Sequence, residues 1–295
     1  MALEAKNKKW LGYTLYVVLV AVILFYFLFP AQAVEEFLDN SVSRINPEFG
    51  FKAEKIRPWI PAGLRITSGE IYLSNTPGQA VFKADSFYIG PQILKLFTGE
   101  YSFDLAGKAY KGDIKGTLHF TGADKAITGE ITFRDFVLAD YNFLNEKFKT
   151  GVIGNLSGEI VYSNESANAA GRSGRFDLRL SDGQLLFQPP VFNITSLDLQ
   201  SIKLEARLRR REITIIKAEL EGPEVNGSMT GSIQLQNDMR LSQLNLRGTL
   251  EPLAEFYKNY PEVRELLKAM KKRVKRGQYF FTLTGTLGDP KFKLL

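Results

Sequence analysis

The 295 residues include a single histidine and no cysteine, and this limits the chemistry open to the chain. Disulfides, thiolate metal sites and cysteine nucleophiles are excluded. A Ser-His-Asp arrangement or a histidine-rich metal site has only His119 to build on. His119 lies in Gly116-Thr117-Leu118-His119-Phe120, where it reads as a strand residue on the solvent face. The acidic pairs Glu35/Glu36 and Asp135/Asp140 do not stand out as a glycosidase pair, because carboxylates are common on any soluble surface. No Walker loop occurs, and Gly151-Val152-Ile153-Gly154 has no strand–helix unit around it, so it reads as a turn. The expectation is a protein with no catalytic residue, no cofactor-binding residue and no metal ligand, and so not an enzyme.

Composition points the same way. The apolar fraction is 44%, ordinary for a folded chain. Aromatics reach 12%, with 22 Phe and 12 Tyr, a balance that favours strands. The net charge of +6 is mild, and no nucleic-acid-binding motif accompanies it, so nucleic acid is not an expected partner. A cysteine-free exported domain suits a bacterial periplasm better than a eukaryotic secretory route. The sequons Asn155-Leu156-Ser157 and Asn193-Ile194-Thr195 then read as chance matches.

The elements that position these residues begin with an anchor. Residues 11–29, LGYTLYVVLVAVILFYFLF, carry no charge. About 19 residues at 1.5 Å each cross a hydrocarbon core of about 30 Å. Lys6, Lys8 and Lys9 precede the run, followed by Trp10, which places the N-terminus in the cytoplasm and the rest of the chain outside it. A cleaved signal peptide is the rival reading, with Ala31-Gln32-Ala33 as its site; the long run ending in bulky residues favours retention. Residues 1–30 are thus a cytoplasmic tip and transmembrane anchor. Residues 31–47 are an amphipathic helix, with Val34, Phe37, Leu38, Val42 and Ile45 at helical spacing, closed by Asn46-Pro47. It is either a linker, a helix on the membrane surface, or a cap on one end of a sheet.

From about Ile56 a phrase recurs: glycine, a polar or small residue, then alternating apolar residues. It occurs at Gly69, Gly99, Gly116, Gly129, Gly158, Gly183, Gly231 and Gly285. Alternation predicts strands with one buried face, clearest at Ile202, Leu204, Ala206 and Leu208 with charged residues between. Glycine at the start of each strand is expected to supply the turn or bulge. Arg209, Arg210 and Arg211 fall at a hairpin turn, either solvated or touching anionic headgroups. The run 163–173, SNESANAAGRS, is a loop or an internal boundary. The fold class is therefore mainly β: a long curved antiparallel sheet, an open trough or half-barrel, in one domain over 48–295, with an amphipathic helix near each end. An open trough would present a hydrophobic groove able to hold an acyl chain.

The second helix is expected over about 252–276. Phe256, Tyr260, Val263, Leu267, Met270 and Val274 form one stripe, its last turn is basic, and Gly277 caps it. It either plugs the sheet or docks on an anionic membrane or partner. A terminal hairpin follows. The candidate groove or partner contacts are Ile202, Leu204, Leu208, Phe256, Tyr260 and Leu267.

The anchor with its basic flank, the glycine-led strands and the closing phrase Leu283-Thr284-Gly285-Thr286-Leu287-Gly288-Asp289-Pro290-Lys291-Phe292 resemble the N component of type II secretion systems, the general secretion pathway protein N family. The closing phrase is also similar to the end of AsmA-type and TamB-type envelope proteins. The resemblance spans nearly the whole chain on short motifs. It implies a single-pass inner-membrane protein with a periplasmic β domain that binds secretion-system proteins and turns over no substrate. AsmA-like relatives imply phospholipid as a partner, its tails shielded in a groove. About 265 periplasmic residues are too few to bridge the periplasm alone, so a lipid role implies homo-oligomers or partner proteins.

Overall fold

The computed structural model describes residues 2–45, 48–60, 62–74, 80–96, 100–121, 126–141, 150–164, 171–191, 194–269, 274–275 and 277–295. The chain divides into two compact units, Met1–Gly90 and Pro91–Leu295, so a boundary falls inside the domain expected over 48–295. Both units are built on antiparallel strands.

The first unit opens with helix α1 (Ala2–Phe27). Its 26 residues rise about 39 Å. Trp10, Tyr13, Leu15, Tyr16, Leu19, Leu24 and Phe27 all point outward. Among the described residues no helix is long and apolar enough to cross a membrane. The side chains of residues 2–9, 11, 12, 18, 22 and 25 lie outside that set.

Helix α2 (Ala31–Ile45) follows, then β1 (Phe49–Pro58), β2 (Leu64–Leu73) and β3 (Ala80–Pro91), each strand antiparallel to the next. Val34 and Leu38 of α2 pack on Ala53, Ile56 and Ile66. The same helix closes the outer edge of β1. The Glu35 carboxylate accepts from the Ala53 N–H at 3.0 Å and Asp39 from the Phe51 N–H at 2.6 Å, while Ser43 Oγ donates to the Phe49 carbonyl at 3.0 Å. The periods explain the match. Four helical residues advance about 6 Å, and two strand residues about 6.6 Å, so every fourth helical side chain meets every second edge group. An open strand edge invites pairing with another chain, and here side chains occupy it.

Apart from a bulge between β2 and β3 at Ile71 and Tyr72, alternation in this unit is interrupted at one level across all three strands. The inward positions step by three: Ala53 to Ile56, Ile66 to Gly69, and Ala84 to Phe87. Ser68 sits at that level with φ of 50°, and the left-handed residue turns the following side chains to the other face.

The second unit is a meander of twelve strands: β4 (Tyr101–Ala109), β5 (Gly112–Thr121), β6 (Ala126–Val137), β7 (Thr150–Asn164), β8 (Arg172–Val191), β9 (Ile194–Arg209), β10 (Glu212–Glu221), β11 (Val225–Gln234), β12 (Gln243–Pro252), β13 (Val274–Lys275), β14 (Gln278–Thr286) and β15 (Asp289–Leu294). Each of β4 to β12 pairs with its sequence neighbour, β12 pairs with β14, and β13 and β15 both pair with β14. The order does not return on itself, so the sheet is open among the described residues. Tyr110 and Lys111, at φ of 50° and 63°, form the two-residue turn between β4 and β5 that suits the strand twist. Arg210 and Arg211 form the β9–β10 turn, where the sequence places them.

Three α-helices complete this unit among the described residues: α3 (Ile93–Leu96), α4 (Ala254–Asn259) and α5 (Pro261–Ala269). The single helix expected over 252–276 is therefore two short ones. Pro261 disfavours a helical conformation at Tyr260, whose φ and ψ are −127° and 67°. Val274, assigned to the helical stripe, lies in β13 instead. Met270 lies outside the described residues.

Candidate functional site: the apolar face of the second unit

The strand register carries one apolar face across the whole second unit. Phe103 faces Leu118, Ile114 faces Phe133, and Ile131 faces Ile160. Leu180 and Leu178 then face Ile202 and Leu204; Ile213 faces Ile233, and Leu246 faces Leu283. Charged residues occupy the opposite face, as at Lys203, Glu205 and Arg207.

The recurrent glycines belong to this face. Of the eight, Gly99 lies outside the described residues and Gly69 belongs to the first unit. Gly116, Gly129, Gly158, Gly231 and Gly285 lie inside strands, not at strand starts as the phrase suggests, and at Gly129 and Gly158 large side chains of neighbouring strands lie over them. Leu118 faces Gly129, and a Cβ added to Gly129 would meet Leu118 Cδ2 at 2.8 Å. Gly158 lies between Phe133 and Leu178; its added Cβ would meet Leu178 Cδ2 at 2.7 Å and Phe133 Cζ at 3.1 Å. Gly248 faces Phe281 in the same way. Laying a large side chain across a glycine restores packing that the glycine itself lacks. It also keeps the face shallow, because the side chains lie along the sheet.

Among the described residues, helices α4 and α5 cover one end of the face. Phe256 of α4 and Val263 of α5 pack on Ile194 and Val225, with Leu197, Leu250, Tyr257 and Tyr260 around them. Phe256 is 6% exposed. Burial of an aromatic side chain of this kind contributes about 1.5–3 kcal/mol. Asn259 donates to the buried Glu224 carboxylate at 2.7 Å, and Tyr260 Oη donates to the Ser196 carbonyl at 3.5 Å. Burial, helped by the hydrogen bond with Tyr279, pushes the Tyr257 phenol up to about 12. Burial, aided by Tyr110, does the same to Tyr141 beneath Leu138.

The six candidate contacts fall in three places. Ile202, Leu204 and Leu208 lie on the apolar face, half-buried. Phe256 and Tyr260 lie in the helix pair at its covered end. The side chain of Leu267 is outside the described set. Sequence reasoning missed the cover's own partners, Ile194 and Val225, and the buried Glu224. Only the apolar character of the first two is visible in sequence.

His119 faces the side opposite the apolar face, as expected, yet it is only half exposed. Its Nδ1 lies 2.7 Å from Ser102 Oγ across the β4–β5 ladder, and Ser102 is 1% exposed. A nucleophile needs access to its substrate, and this hydroxyl has none. The Gln92 N–H closes the surroundings by donating to the Ser102 carbonyl at 2.8 Å. No group of three His, Asp or Glu residues is placed to hold a metal ion among the described residues. No protein-family model, no curated protein and no solved structure matches this chain.

Proposed function

We propose that this chain is a non-enzymatic, single-pass inner-membrane component of a type II protein secretion system, and that its second unit binds other envelope components from the periplasm. The observation that carries the reading is the extent of the apolar face, which runs from β4 to β15 with, among the described residues, helices α4 and α5 over one end. A single-layer sheet gains its hydrophobic stabilisation by curling over such a face or by receiving a partner on it. An open trough serves both. The outward apolar side chains of α1 and the uncharged run 11–29 support a membrane anchor. One histidine, tied to an inaccessible serine, supports a role without catalysis. Deletion of the chain tests the assignment: exoprotein in the medium falls and accumulates in the periplasm. Unchanged secretion refutes it.

A second reading, an AsmA-like lipid-binding or lipid-transfer protein, is favoured by the shallowness of the face. Side chains lying over glycines form a smooth apolar strip suited to acyl chains. The strip belongs to one chain too short to bridge the periplasm, so this reading requires homo-oligomers or partner proteins. Native mass spectrometry of the detergent-extracted full chain then shows copurifying phospholipid. Protein free of lipid counts against it.

A further inference from the structure

We infer that the end of the second unit opposite the α4–α5 cover is a docking surface for an anionic lipid bilayer. The antiparallel register brings three segments together there. The β9–β10 turn carries Arg209, Arg210 and Arg211, all exposed. The first residue of β8, Arg172, joins them, since the Arg210 N–H donates to the Arg172 carbonyl at 2.7 Å. The connection between β11 and β12 is tied to the same turn through the Leu235 N–H, which donates to the Arg211 carbonyl at 2.7 Å.

That connection presents Met239 and Leu241 to solvent, 62% and 58% exposed, on either side of Arg240. Asp238 fixes its geometry by accepting from the Arg240 backbone N–H at 3.0 Å and from its guanidinium at 3.2 and 3.0 Å. Two apolar side chains are therefore held out at the tip while the neighbouring charge is turned back on the loop.

Among the described residues the charge beside them is unbalanced. Glu212 follows the three arginines and Asp289 lies on the β14–β15 side of the connection. Neither forms an ion pair with Arg209, Arg210 or Arg211 among the described residues. Arg172 Nε and Asn164 Oδ1, cross-strand neighbours, are both buried and have no hydrogen-bond partner among the described residues. Three exposed guanidinium groups at one turn fit anionic oxygens supplied from outside the chain. Arginines bracketing exposed apolar side chains match a phosphate layer over acyl chains. The apolar face reaches this end through Leu208, Ile213 and Ile233, so a docked bilayer meets it directly.

The inference uses the reading of α1 as an anchor only to present the chain, and incorporation into a nanodisc reads that out before any vesicle is added. The full chain in phosphatidylcholine nanodiscs is mixed with larger vesicles and floated. Vesicles containing about one-third phosphatidylglycerol carry the nanodiscs upward, and pure phosphatidylcholine vesicles do not. Replacing all three turn arginines, Arg209→Gln, Arg210→Gln and Arg211→Gln, weakens association at least tenfold, since each basic residue near such a surface contributes roughly fivefold. Lysine at all three positions retains binding. Met239→Ser with Leu241→Ser, which leaves every arginine in place, weakens it severalfold and keeps the inference testable if the arginine variant misfolds. Equal flotation with neutral and anionic vesicles overturns it. So does wild-type association in both variants, which identifies the turn as merely solvated.

Discussion

Replacing Gly158 by alanine tests whether the recurrent glycines exist to receive neighbouring side chains. The added Cβ would stand 2.6 Å from the Asp177 carbonyl oxygen, 2.7 Å from Leu178 Cδ2 and 3.1 Å from Phe133 Cζ. The first contact is roughly 0.8 Å inside the 3.4 Å at which ordinary contact begins. The Asp177 carbonyl belongs to the β7–β8 ladder and cannot retreat without disturbing register. Alanine would otherwise gain about 0.5–1 kcal/mol over glycine in a strand. Overpacking costs about 1–3 kcal/mol, more when backbone must move. The expected net result is a loss of about 2 kcal/mol, or a fall in melting temperature of about 4–8 °C for a unit of this size. Gly174→Ala is the control, because its nearest contact is Val161 O at 3.2 Å and the others begin at 3.4 Å. Thermal and urea unfolding of the detergent-solubilised chain compare the two. A Gly158→Ala protein as stable as wild type, or more so, refutes the packing argument.

Three further outcomes follow from the same structure. Phe256→Ala removes a buried ring from the α4–α5 cover and costs about 3–5 kcal/mol, read by urea unfolding. Glu35→Ala with Asp39→Ala leaves the Phe51 and Ala53 N–H groups of the β1 edge without acceptors. About 1–3 kcal/mol is lost for each, and amide exchange at those positions accelerates. Tyr141 and Tyr257 hold their protons up to about 12 against an ordinary 10. Their stabilisation is complete below pH 10 and fades as pH rises to about 12, because the unfolded chain releases these protons first. Tyr141→Phe with Tyr257→Phe flattens that decline in an alkaline unfolding series monitored by phenolate absorbance.

Much of the second unit is legible in its residues. The run Ile202, Leu204, Ala206 and Leu208 sets its own face, and the turn at Arg210 and the closing hairpin follow from local pattern. The glycines mislead, because a glycine beneath a neighbour's Leu118 or Phe281 has the same local sequence as one in a turn; only cross-strand register distinguishes them. The three-residue step at Ser68 carries no mark either, since serine is not a residue expected at positive φ. Pro261 is a readable break, masked by the four-and-three spacing from Phe256 to Val274. The spacing holds at Val263, which does pack inward, while Val274 pairs with Tyr279 instead. The Ser102–His119 contact and the convergence of Arg172 with Arg210 join residues distant in sequence, which composition and spacing cannot bring together.

The account rests on the apolar face as a working surface, and site-specific photo-crosslinking in intact cells tests this most directly. A photoreactive residue at Leu204 samples that face, and one at the adjacent Glu205 samples the opposite, charged face. The account predicts adducts at 204 and few or none at 205, their mass identifying an envelope protein or a phospholipid. Equal labelling at the two positions, or none at 204, contradicts it.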